Sequence, residues 1–312
     1  MSLLPQRIAL IGGTGFVGQH LAEQLVGRER QLTLLTRRRE RSKALAMLPG
    51  VRLLEGGPAA LDSLMAGQDA AVHMVGILHG SRRDFERAHV QLTEQVIAAC
   101  QRQGVRRLVL VSALGAGRDA PSDYQQTKAL AEEKLMASGL DWTIIRPSVI
   151  FGQGDSFLTL FARLLAIAPC LPLAGAHTRF QPVWVEDVVR VIADCLDRRD
   201  TVGQRYELTG PETFTLAELV RYVGQLTGHP RPVFGLPKGL AMLQAALMEC
   251  LPNPPMSRDN VRSLACDNVS VDGFPQAVFG FAPSALTSIA PGWLGGQTPA
   301  NRYDAFRSRA QR

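Results

Sequence analysis

Arg7-Ile8-Ala9-Leu10-Ile11-Gly12-Gly13-Thr14-Gly15-Phe16-Val17-Gly18 decides the fold. Arg7–Ile11 reads as a strand, the glycines turn the chain, and Gly18–Val26 takes up a helical pattern. Glycine at 12, 15 and 18 permits a tight turn, close backbone approach to a pyrophosphate and close helix–sheet packing. The free amides of the loop then stand at a helix N-terminus, where a phosphate is favoured. A glycine pattern alone is a weak signal, and the strand–loop–helix context is what strengthens it. The expected dinucleotide contacts are Gly12, Thr14, Gly15, Phe16, Val17 and Gly18.

Outward from this loop, short apolar runs at Gln31–Thr36, Val51–Glu55, Ala70–Val75, Arg107–Ser112 and Trp142–Arg146 predict further strands. Helical stretches at Ala88–Gln103 and Asp123–Ser138 separate the last three, with Ser122 and Gln125 at a helix start and Gly139 at a stop. Such alternation means crossover units and a parallel sheet, and runs apolar throughout suit strands covered on both faces. The fold class is α/β, a Rossmann-type doubly wound parallel sheet. After residue 155 the pattern loosens. Helices are expected at Phe157–Ala168, Glu186–Leu196, Thr215–Thr227 and Leu236–Leu251, and strands at Gln181–Val185 and Gln204–Thr209. Residues 1–155, with 180–200 returning, are expected to form the nucleotide domain. Residues 156–179 and 201–312 form a smaller, mostly helical substrate or partner lobe.

Composition narrows the function. With 46% hydrophobic and 20% charged residues in 312, disorder is excluded as the main state. Five cysteines lie far apart without a C-x-x-C pair, and the six histidines are dispersed, so neither a disulfide framework nor a metal is expected. No apolar run reaches the ~18–20 residues of a membrane span, and the first residues lack a signal-peptide cleavage pattern, which predicts a cytoplasmic chain. The net charge is +6, but all but four of the 34 basic residues are scattered arginines. With few aromatics to stack bases, nucleic acid is not an expected partner.

The one dense basic run, Arg37-Arg38-Arg39 with Arg41 and Lys43, follows the second strand, where the adenosine ribose should lie. No acid occurs until Glu40. An acid there would select NAD; a guanidinium pairs bidentately with a 2′-phosphate. Arg37 and Arg38 therefore predict NADP(H) over NAD, the other reading being a solvated basic loop. Farther on, Tyr124 and Lys128 stand four residues apart on one helix face, beyond the strand that ends at Ser112. A nearby ammonium favours the phenolate and lets a tyrosine exchange a proton near neutral pH.

These motifs resemble the short-chain dehydrogenase/reductase superfamily. The likeness continues through Arg146-Pro147-Ser148-Val149-Ile150-Phe151-Gly152 and the run from Phe180 to Val188, typical of its extended and atypical branches. Ile145–Gly152, Met256–Val261 and Cys266–Val269 are most similar to the nucleotide-binding accessory subunit of respiratory complex I and its bacterial relatives. The resemblance implies further cofactor contacts from Val75, Gly76, Ser112, Tyr124, Lys128 and Pro147, with Tyr124, Lys128 and Ser112 as catalytic candidates.

Two departures stand out. The acid that the family carries near the adenine is replaced in Glu55-Gly56-Gly57. The Ser or Thr that polarises a substrate carbonyl falls at Leu114, and losing one such donor typically costs ~10²–10³ in rate. Two functions stay open: a protein that holds NADP(H) as a structural or sensing ligand, possible partner of a membrane redox complex, and an NADPH-dependent reductase of a carbonyl or quinone with Tyr124 as proton donor. Leu114 favours the first and the Tyr124–Lys128 pair the second. Leu236–Leu251 reads first as a core-facing helix of the smaller lobe, the other readings being a surface helix docking on a membrane's inner face or a partner, or the wall of an apolar substrate or quinone pocket. Trp142 and Trp184 are expected in the core, and His177 and Arg179 near a substrate entrance.

Overall fold

The computed structural model describes residues 4–251 and 254–295, with the side chain of Arg41 outside the description. The chain divides into two compact units. Of the described residues, the first comprises 4–147, 185–208 and 275–281, and the second 148–184, 209–251, 254–274 and 282–295.

The first unit is built on seven strands: β1 (Arg7–Ile11), β2 (Gln31–Thr36), β3 (Val51–Glu55), β4 (Ala70–His73), β5 (Arg107–Val111), β6 (Asp141–Pro147) and β7 (Gln204–Leu208). They run parallel in the order β7-β6-β5-β4-β1-β2-β3. Every residue of β5 and four of five in β1 are buried, as strands with both faces covered require. Helices α1 (Phe16–Val26), α2 (Leu92–Gln103), α3 (Asp123–Met136) and α4 (Val185–Asp197) cover the sheet. Leu64, Val96, Leu108 and Ile144 are fully buried in one core layer.

Local chemistry sets the helix ends. Ser122 accepts from the Gln125 amide to start α3, and Gly139 (φ +72°) takes the left-handed turn after it. Arg107, buried at the start of β5, donates to the Asp141 and Cys195 carbonyls and to Thr143 and Thr201 hydroxyls, tying β5 and β6 to α4. Gln204–Leu208, expected in the smaller lobe, instead extends the sheet beside β6. Its half-polar sequence suits an edge, where only one flank pairs.

The second unit packs helices Phe157–Ile167 and Leu216–Leu226 about Phe151, Leu165, Leu219 and Val220. Thr215 and Glu218 form a reciprocal capping box on the latter helix. The parallel pair Leu171–Leu173 and Val233–Gly235 leads into helix Lys238–Met248. The expected strand at Gln181–Val185 shrinks to Val183–Trp184, and both Trp142 and Trp184 are half-buried. No described helix is long and apolar enough to cross a membrane.

Candidate functional site

The strand order reverses direction between β1 and β4, and ligands of open α/β sheets bind beyond the strand C-termini at such a point. Gly12, at φ +85°, is pressed there against the chain leaving β4; a Cβ on it would lie 3.0 Å from the Val75 amide. A Cβ on Gly18 would come within 2.5 Å of the Gly13 backbone. Glycine at 18 thus lets α1 sit against its own loop. Gly15 caps α1 with no side-chain acceptor, and the first turn holds no acid. The first-turn amides therefore present only backbone N–H groups and a positive helix end, which suits a pyrophosphate. Thr14 supports the turn by accepting from Gln19 Nε2 at 3.1 Å.

β2 ends where the Thr36 hydroxyl caps the next turn, accepting from the Arg38 amide at 3.3 Å. Arg37 and Arg38 are exposed, and among the described residues neither is paired with a carboxylate. Glu40, the first acid after the strand, is engaged by Lys43.

The opposite end of the site is buried. The Lys128 ammonium donates to the carbonyls of Val111 (3.1 Å) and Val75 (3.4 Å), bridging the ends of β5 and β4. A Cβ on Gly76 would stand 3.2 Å from that nitrogen, so glycine leaves the ammonium open on this side. Burial lowers Lys128 to about 8, opposed by Glu132. Glu132, itself buried, is clamped by Arg146 through Nε (2.9 Å) and Nη2 (2.7 Å). Tyr124 lies one turn before Lys128. Burial pushes its phenol up to about 12, whereas the sequence led us to expect a phenol lowered by Lys128. Burial alone sets the direction here.

Two histidines that the sequence did not single out complete this end. Between helices Arg82–Phe85 and α2 the backbone widens into a π-helical segment, Glu86–Gln91, a distortion frequent at functional sites. It turns His89 edge-on to Tyr124, with ring centroids 5.4 Å apart, and Phe85 closes the aromatic cluster. His89 Nε2 accepts from the Ile77 amide at 3.2 Å, so Nδ1 carries the proton and donates to Thr127 Oγ1 at 2.9 Å. Thr93 donates to the His89 carbonyl, leaving its oxygen to accept from His73 Nε2 at 3.1 Å. Burial and the Lys128 charge lower His73 to about 3 and His89 to about 2. Both are neutral near pH 7. The histidines sit at no ligand-like spacing; only the widened turn, invisible in composition, brings them together.

Ser112 follows β5 and donates its amide to Ile145 O at 2.7 Å. Its hydroxyl is buried and meets no partner among the described atoms. Such an orphan is costly unless a ligand satisfies it. Leu114 is buried, its amide bound to the carbonyl of Pro147 at 2.9 Å. The glycine cradle, the uncapped helix start and the orphaned Ser112 hydroxyl fit a nicotinamide dinucleotide. Val75, Gly76, Lys128 and the end of β5 converge, while Arg37 and Arg38 stand apart at the β2 end. In the second unit Arg179 is paired with Asp267 at 2.8 Å on the surface.

Comparisons with known proteins agree with this geometry. A family model described as NAD(P)H-binding matches residues 12–156. The chain is 30% identical over 283 residues to subunit 9 of the NADH dehydrogenase [ubiquinone] 1 alpha subcomplex, mitochondrial, from Arabidopsis thaliana, covering 84% of this chain and 70% of that protein. It is 27% identical over 251 residues to a ceramide reductase of Caulobacter vibrioides, covering 78% and 77%. Among solved structures, a dTDP-glucose 4,6-dehydratase double mutant from Streptomyces venezuelae with NAD bound superposes with a TM-score of 0.72. That match has 19% identity and covers 92% and 95% of the two chains, a likeness of fold.

Proposed function

The chain belongs to the NAD(P)-binding short-chain dehydrogenase/reductase family that includes subunit 9 of the complex I alpha subcomplex, and we propose that it holds NADP(H) as a structural or regulatory ligand. In this reading the α1 amides receive the pyrophosphate, Arg37 and Arg38 the 2′-phosphate, and Lys128 the nicotinamide ribose. Val75, Gly76 and Pro147 border the ring. The observation that carries a holding role is Leu114. A buried leucine stands where active relatives would place a hydroxyl, while the phenol of Tyr124 is raised rather than lowered. Likeness to a named NADH dehydrogenase subunit supports a place beside a membrane redox complex.

One observation favours a second reading. The partnerless Ser112 hydroxyl could supply the missing donor, and a relative is named a reductase. The chain would then be an NADPH-dependent reductase of a carbonyl or quinone on an apolar substrate. Bound NADPH supplies a hydride; Tyr124 would deliver the proton, with Lys128 orienting the ribose and His89 fixing the ring of Tyr124.

Absorbance at 340 nm with carbonyl and quinone acceptors separates the two. NADPH that is retained through purification and survives every acceptor supports the holding role. Turnover that disappears in Tyr124→Phe overturns it.

A further inference from the structure

The helix Lys238–Met248 lies on its small residues. Ala241 and Ala245 are buried in a cluster with Ala174 and Val261, while Leu240, Leu243, Leu247 and, in the following turn, Leu251 are 55%, 57%, 66% and 52% exposed. Their spacing of three, four and four places all four on one helix face, turned away from the alanines. Ile167 and Phe234, in the same unit, are also exposed.

The charge of the sequence segments that carry these residues is one-sided. From 156 to 185 and from 219 to 248, the segments that carry Ile167, Phe234 and the first three leucines, the sequence holds no Asp or Glu. It holds Arg163, Arg179, Arg221, Arg231 and Lys238. Arg179 is paired with Asp267. The other four are exposed, and among the described residues none makes an ion pair with a carboxylate, although, after the hydrogen bonds from Thr215, the Arg221 charge helps to lower nearby Glu218. Arg221 and Arg231 donate only to the carbonyls of Val233 and Leu165. Glu249, the acid nearest the stripe, is neutralised by Arg258 at 2.8 Å. The stripe offers no Trp, Tyr or polar side chain of the kind that anchors a protein partner. A leucine face on a helix that carries Lys238 and no acid matches instead the boundary between acyl chains and anionic headgroups.

We propose that the Leu240–Leu251 face docks this protein on the surface of an anionic lipid bilayer. The proposal stands independently of what the nucleotide does. The test sediments the full chain with vesicles of phosphatidylcholine alone, or of phosphatidylcholine with about one third phosphatidylglycerol. The chain should sediment with the anionic vesicles only, and less as salt rises. The double variant Leu243→Ser/Leu247→Ser should bind at least about tenfold more weakly, and Lys238→Gln about fivefold more weakly at low salt. Both should keep NADPH binding and circular dichroism, and the lysine variant keeps the test valid should the leucine variant misfold. Failure to sediment with either vesicle overturns the proposal, as does binding unchanged in both variants. A lipid-free dimer that the leucine variant dissociates would make the stripe a contact between copies of the chain, and would overturn it too.

Discussion

The two ends of the candidate dinucleotide site are built by opposite means. At the phosphate end the recognition groups are backbone amides and exposed guanidinium groups, and the glycines clear space for them. At the nicotinamide end a lysine, two histidines, a tyrosine and a serine are packed into low dielectric, where each is neutral or costly to charge. The first end is ready to receive an anion. The second holds its shape at the expense of acid–base readiness and lacks a hydroxyl at Leu114. In the proposed reading, binding and turnover are therefore separable.

Substitution at Gly18 should break the phosphate end most severely. The Cβ of Gly18→Ala would meet backbone at 2.5 Å, so α1 must shift, and we expect a loss of about 1–3 kcal/mol of stability with NADPH binding abolished. Thermal unfolding and fluorescence titration read both. Next, Leu114→Ser sharpens the contrast at the other end: with the donor restored, turnover of a carbonyl acceptor should rise by about 10²-fold. No change in a folded variant would mean that Leu114 is not what limits chemistry. At the β2 end, Arg37→Ala and Arg38→Ala should each weaken NADP(H) about tenfold and leave NAD(H) unchanged by calorimetry.

The smallest effects are on pH. His73 and His89 titrate near 3 and 2 in the folded chain and near 6.5 when unfolded. The unfolded state therefore binds more protons below pH 6.5, and stability should fall as pH drops through that value, less so in His89→Gln. Lys128 acts in the alkaline range with the same sign. Its folded value of about 8 lies below the usual 10.5, so between these the unfolded chain again binds more protons and stability rises with pH. A nucleotide that needs the ammonium should bind more weakly above pH about 8, and Lys128→Met should flatten that limb in a titration series.

The contrast also explains what the sequence disclosed. Strands β1, β4 and β5 were legible because strands buried on both faces are apolar along their length, and the glycine loop because backbone geometry leaves few residues to choose from. The Glu132–Arg146 clamp was not, since its members lie on α3 and β6 and meet only after folding. His89 was hidden for a similar reason, because the π-helical turn that aims it has no spacing rule. The Lys238–Met248 helix misleads by composition alone: its apolar content suggested a core helix among other readings, yet the alanines four apart are what pack, and they turn the leucines outward.

Calorimetric titration of the nucleotide-free chain with NADPH and NADH at neutral pH tests the central claim most directly. The account predicts tight binding of NADPH, at least about tenfold tighter than NADH, with the preference lost in Arg37→Ala/Arg38→Ala. Equal affinities, or a preference that survives the double variant, would contradict it.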